Sequence, residues 1–473
     1  MDKNSTSYFE SDEFKELLAR YEEARQKKLT TYFDPDQLTD ISEYYANLGN
    51  FTEAYNTAEY ALYLHPGNTD AMVVKAHLLV GDNRLEEARE IADSIQDCSD
   101  YEVLLLKAEI LLNEGNTEKA ENLLQEYIRI DNTEKDNLID IAFLYLDNNL
   151  PGMAIQWFTD ALNRFPGDLE IMEGLAESYF EADQPAKAIE FYNLLLDENP
   201  YSTEYWSELG KIYFTLEEFN KSIEAYEFVT AIDKESKHAI LMLGHCYAKL
   251  ENYPKAEAYY KVFSEQADNG NNDHSYYYLG ICYYSMGEYR KAIDSFLKGI
   301  DSDGELLFQP LDIYSYIADC YAELGDKENA LLYIDSAIAE DALNIDAYFS
   351  KIRFLLKFGE IQDALAVMNE TVMVMPYDVP NIIEAAILFI KFEEYDSALT
   401  IVKLLEEKFP LAYHIFTGFI CNSNGHPEQY REHIAEAMAL SPEGFWDKVK
   451  NTPDNDGFMT LKKVLLETYE NNN

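Results

Sequence analysis

The chain has 473 residues, 47% of them apolar and 14% aromatic, which is enough to build a core and excludes a disordered polymer. Its 37 Lys and Arg face 88 Asp and Glu, a formal charge of -51 at pH 7, and a surface with that field repels nucleic acid and anionic membrane. The field suits basic proteins or peptides as partners; the same acidity also serves solubility alone, or adaptation to high salt.

The opening residues, MDKNSTSYFESDEFKELL, lack a basic stretch followed by an apolar one, so no secretory leader is expected. No run reaches the roughly 18 uninterrupted apolar residues of a membrane-spanning helix. The five cysteines, Cys98, Cys246, Cys282, Cys320 and Cys421, are widely spaced and without a CxxC, against a disulfide framework or a zinc ribbon. A cytoplasmic protein is expected. Residues 1–34 should hold a capping helix: SDEFKELLARYEEARQKKL sets Phe14, Leu17, Leu18 and Tyr21 on one helical face, with Glu16/Arg20 and Glu23/Lys27 one turn apart.

From residue 35 the chain repeats. WSELGKIYFTLEEFNKSIEAYEFV from Trp206, ILMLGHCYAKLENYPKAEAYYKVF from Ile240 and YYYLGICYYSMGEYRKAIDSFLKG from Tyr276 follow one another at offsets of 34 and 36. Each has a bulky residue, Leu-Gly three positions on, a Tyr, a small residue near the start of a second helix, and an aromatic four later. The small residue recurs as Ala54, Ala88, Ala120, Ala154, Ala188, Ser222, Ala256, Ala292, Ala330, Ala364 and Ala398. Pro66, Pro166, Pro200, Pro376 and Pro410 stand just past the second helix, which they cannot continue.

This pattern resembles the tetratricopeptide repeat, a helix-turn-helix unit of 34 residues written W-x2-L-G-x2-Y, then A-x3-F, then P. The resemblance covers residues 35–442, eleven units and a weaker twelfth with Tyr430 at the small position. It implies an all-α, α-α superhelical solenoid of stacked helix pairs. Small residues at the eighth and twentieth places let two antiparallel helices approach, while large ones at the fourth, eleventh and twenty-fourth fill the space between repeats. The units starting near Lys237 and Asp273 are long, which predicts an irregularity near 268–311. Residues 443–473 should form C-terminal capping helices, with Phe458, Leu461, Val464 and Leu465 at similar helical spacing.

The register also sorts the chemistry. HSYYYLGICYYSMGEY, residues 274–289, holds six tyrosines, of which Tyr276, Tyr283 and Tyr289 fall on packing places. Tyr277 and Tyr284 fall on the fifth and twelfth, which in the resembled family face the concave groove, and Tyr278 lies beside them. His238 and His274 at the second place and His245 at the ninth should line the same groove, and Lys249 is counted with them. These seven residues form the expected peptide- or protein-binding groove. The window from Lys234 to Lys298 holds eight basic and eight acidic residues, a neutral aromatic patch in an acidic chain.

Metal is not expected there, because His238 and His245 lie roughly 10 Å apart along a helix axis, too far to share one zinc at about 2 Å per bond. Cys246, Cys282 and Cys320 share the tenth place of consecutive units and read as a row of small buried hydrophobes. The second place is acidic in eight units (Asp36, Asp70, Glu102, Asp136, Glu170, Glu204, Asp312 and Asp346), which complements the helix dipole and would also attract a basic ligand. The carboxylate clamp of chaperone-binding relatives is missing: its places hold pairs such as Thr39/Glu43, Val73/His77 and Leu105/Glu109. Walker A, GxGxxG and GxSxG motifs are absent, so neither an enzyme nor a cofactor is expected. The sequence therefore reads as a non-enzymatic protein-protein interaction scaffold; the alternative is a ligand- or peptide-sensing regulator that changes shape on binding.

Overall fold

The computed structural model describes residues 8–27, 31–96, 100–130, 134–266, 273–300, 310–374 and 379–440. The expected C-terminal caps, Cys98, Pro376, residues 268–272 and 301–309 of the 268–311 irregularity and the side chain of His274 lie outside what is described. Every regular element among the described residues is a helix.

The first helix, Asp12–Gln26, starts where the Ser11 hydroxyl accepts the Phe14 N–H at 3.2 Å. Phe14, Leu17 and Tyr21 turn inward as their spacing requires, but Leu18 is only half-buried and Ala24 completes the stripe. The Tyr21 hydroxyl meets Thr57 Oγ1 at 2.8 Å, which ties this helix to the second helix of the first pair, Phe51–Leu64.

Twelve helix pairs follow in chain order, from Pro35–Asn47 with Phe51–Leu64 to Pro410–Ser423 with Pro427–Leu440. Short polar side chains open the first helix of six pairs: Asn68, Asp100, Asp168, Ser202, Ser236 and Asn344 each accept a backbone N–H of the first turn. One residue in the left-handed region ends it. Gly49, Asn83, Gly115, Asn149, Asp183, Glu217, Glu251, Gly287, Gly325, Gly359, Glu393 and Gly425 supply that residue, one per pair, with φ from 55 to 80°. The next N–H then reaches back to a carbonyl of the last turn, as from Asn50 to Tyr45, Arg84 to Leu79 and Asn252 to Tyr247, all at 2.8 Å. This closes the helix and aims the chain into its partner.

The eleven small twentieth-place residues are all 0% exposed. Tyr430, their counterpart in the last pair, is half-buried. Pro66, Pro166 and Pro200 lie just beyond second helices as expected. Pro410 does not: the second helix before it ends at Val402 in a short 3-10 turn, Lys403–Leu405, and Pro410 instead begins the next helix. A proline fits there because the first N–H of a helix has no partner to lose.

The chain divides into two compact units, 1–218 and 219–473. In the first, Leu138, Ile141, Tyr145, Trp157 and Phe158 form the centre of the core, and the polar tips of Tyr145 and Trp157 both donate to Glu121, at 2.5 and 3.1 Å. In the second, Ile352, Phe354, Phe389 and Leu405 are buried to 1% exposure or less. Here the eighth and twenty-fourth places interlock as the repeat pattern requires. Gly244 lies against the Tyr260 ring, Gly280 against Phe296 and Gly418 against Ile434, so close that an added Cβ would sit 2.6, 2.4 and 3.1 Å from those side chains. In the first two of these pairs the packed side chain is an aromatic ring, and the candidate site is built against those same rings, Tyr260 and Phe296.

Candidate functional site

The site is assembled in the second unit from three successive first helices, Lys237–Lys249, Asp273–Ser285 and Pro310–Glu323. Tyr278 stacks on Tyr260, ring centroids 5.2 Å apart and planes within 17°, and meets the His245 ring edge-on at 4.5 Å. His245 Nδ1 lies 2.8 Å from the Tyr260 hydroxyl. Burial, helped by His238 and Lys249, pushes the His245 pKa down to about 4, so its imidazole is neutral at physiological pH. His238 is exposed and rests edge-on against Tyr226 at 5.8 Å, and Lys249 is exposed.

Beside this cluster, Tyr277 and Tyr284 hold Tyr316 of the next pair between them, with centroids at 6.4 and 5.3 Å. Tyr316 in turn stacks on Phe296 at 5.5 Å. Burial takes the Tyr277 and Tyr284 phenols up to about 12, so both stay protonated donors. Arg353 donates to Asp319 at 2.6 Å, while burial still raises the carboxyl's pKa. The result is an aromatic face with polar tips and one ion pair reaching the following helix, Ile345–Lys357.

Of the seven expected groove residues, His245, Tyr277, Tyr278 and Tyr284 lie in two adjoining ring clusters, His238 and Lys249 are exposed outside them, and His274 has no described side chain. The scaffold tyrosines divide less cleanly: Tyr283 is buried and donates to Glu257 at 2.9 Å, whereas Tyr276 and Tyr289 are half-buried. Tyr316 and the Asp319–Arg353 pair were missed. Each had a signal, since Tyr316 repeats the sixth-place tyrosine of Tyr278, and Asp319 and Arg353 hold the same ninth place in consecutive units.

Cys246, Cys282 and Cys320 are at most 1% exposed, and burial drives the Cys282 and Cys320 thiols up to about 12. Cys246 donates to the Ser222 hydroxyl at 3.2 Å. These are protonated packing groups, far from the thiolate state that reactivity needs. Among the described residues no His, Cys, Asp and Glu side chains converge as a metal site, and no helix is long and apolar enough to cross a membrane.

The first unit is different in character. Its first helices carry carboxylates on their inner turns. Burial, reinforced by neighbouring carboxylates, raises Glu43 and Glu177 and takes Asp140 to about 6. His77 Nδ1 lies 2.5 Å from Glu109.

An all-α chain of helix pairs, each closed by a left-handed turn residue and eleven of them with a small, buried twentieth place, is a helical-repeat protein. Signatures described as tetratricopeptide repeat match residues 101–134, 145–212, 207–272 and 279–345. The chain is a tetratricopeptide-repeat protein, and that family is generally a protein-protein interaction module. No curated protein matches it. Solved structures similar to it include a tetratricopeptide repeat protein from Parabacteroides merdae, 21% identical over 51% of this chain and 93% of its own, TM-score 0.36. The C-terminal part of a TPR repeat-containing protein from Cytophaga hutchinsonii is also 21% identical, over 52% and 98%, TM-score 0.44. The Cut9–Hcn1 hetero-tetramer of APC/C is 14% identical over 98% of both chains, TM-score 0.32.

Proposed function

We propose that the chain is a non-enzymatic scaffold whose second unit binds a peptide or protein segment on the aromatic face formed by Tyr277, Tyr278, Tyr284 and Tyr316, with His238, His245 and Lys249 at its edge. The observation that carries this reading is the half-burial of those rings. Each is fixed by a neighbouring ring and presents its remaining surface, so a partner gains apolar contact at small entropic cost. The neutral imidazole and the phenol tips add hydrogen bonds without adding charge. A partner with an apolar or aromatic stripe and donors for Asp319 fits this face.

Capture from lysate of the source organism, with mass spectrometry, tests the reading when wild type is compared with His238→Glu/Lys249→Glu. Both positions are exposed, so the variant keeps its fold, and a partner held by wild type and lost by the variant supports the groove. A partner retained by the variant places binding elsewhere. The ligand-sensing alternative is favoured instead if no protein is captured and a small molecule shifts the melting temperature.

A further inference from the structure

A second recess lies in the first unit, where the first two helix pairs meet, and it is built around a glycine that the fold does not need. Gly81 is the last residue of the helix Thr69–Gly81 and has no left-handed φ. A Cβ added to it would meet nothing within 4 Å, whereas Gly244, Gly280 and Gly418 all make room for a side chain of their own pair. The space beside Gly81 stays open. It joins one recess of about 250 Å³ to another of about 370 Å³, and Phe51, Leu78 and Gly81 line both. Phe51 is 64% exposed at its rim.

The charge around this recess is mainly negative, although Arg84 and His77 are among the residues that line it. Residues 35–96 hold eleven Asp or Glu against three cations, Lys75, Arg84 and Arg89. All three are engaged, with Glu59, Glu87 and Glu114 respectively. Glu43, which lines the smaller recess, pairs with no Lys or Arg among the described residues. Its carboxyl is raised by burial and then by Asp40 and Glu102, against a smaller opposing effect of His77, which is held by Glu109, so a cation brought beside it is favoured.

We propose that this groove docks a short basic segment of a protein partner, which inserts one aliphatic side chain between Phe51, Leu78 and Gly81 and sets a lysine or arginine against Glu43. This goes beyond the reading above: it concerns the other unit, other residues and a partner of opposite charge, so either proposal can fail alone. The probe is a fluorescein-labelled peptide with a central leucine flanked on both sides by lysines, titrated with the full chain and followed by anisotropy. Binding that weakens as salt rises is expected. Gly81→Leu fills the recess and should weaken it at least about tenfold with no fall in melting temperature. Phe51→Ser, at an exposed position, should do the same if the leucine variant fails to fold. The proposal is overturned if the leucine peptide does not bind, if a peptide with serine in place of leucine binds equally well, or if both variants keep wild-type affinity.

Discussion

Three glutamates sit where glycine would be easier. The turn inside each helix pair needs φ near +60 to +80°, and six pairs meet this with glycine and three with Asn or Asp, which tolerate the conformation. Glu217, Glu251 and Glu393 have no such excuse, and a left-handed L-residue costs about 1–2 kcal/mol. Glu251→Gly should therefore stabilise the chain by about 0.5–1 kcal/mol, after the larger unfolded-state entropy of glycine is deducted. Urea denaturation measures it, with Glu251→Ala as the charge-matched control; a midpoint equal to that control would show that the turn is unstrained. This turn position was not legible in the sequence, because four residue types share one backbone conformation and no single letter marks it. The twentieth place was legible for the opposite reason: only a small side chain fits between two touching helices.

At the scale of helices, identical substitutions should have opposite signs. Gly280→Ala adds a Cβ 2.4 Å from a Phe296 ring that is 1% exposed and already stacked on Tyr316. The ring has nowhere to go. Overpacking of this kind costs about 1–3 kcal/mol, more than the roughly 1 kcal/mol that alanine gains over glycine in a helix. Gly81→Ala meets nothing and should keep that gain. Thermal melts of the two variants decide it, and a stabilising Gly280→Ala would mean that the ring is loosely held. The helix pairs themselves could be read from the sequence through the recurring small and aromatic places. The site could be read only in part, since place within a repeat says which way Tyr277 and Tyr284 point. It does not say that Tyr316 of the next pair comes to lie between them, which is set by how one pair stacks on another. Pro410 was misread because a proline between two helices can end one or begin the next, and only the early stop at Val402 shows which.

Across the whole molecule, one helix from each unit should answer acid in the opposite direction to the other. His245 falls from 6.5 to about 4 on folding, so its contribution to stability is present above the unfolded value and is lost as pH falls toward the folded one. Asp140 rises from 3.8 to about 6, so it contributes stability below the unfolded value and loses it as pH rises through the folded one. Going from neutral to about pH 5 should relieve the helix Lys135–Asp147 and loosen Lys237–Lys249. Amide hydrogen exchange, corrected for its intrinsic pH dependence, resolves the two; a change of the same sign in both would refute the assignment.

The buried thiols have a consequence for how such a chain comes apart. Cys246, Cys282 and Cys320 belong to three neighbouring pairs and occupy the same place in each, sealed to within 1% of full enclosure. Each is a latch that an alkylating reagent reaches only when its own pair has swung open. In a repeat stack, where a unit leans mainly on its immediate neighbours, the sequence in which the three are modified is a chemical record of the order in which that stretch unzips.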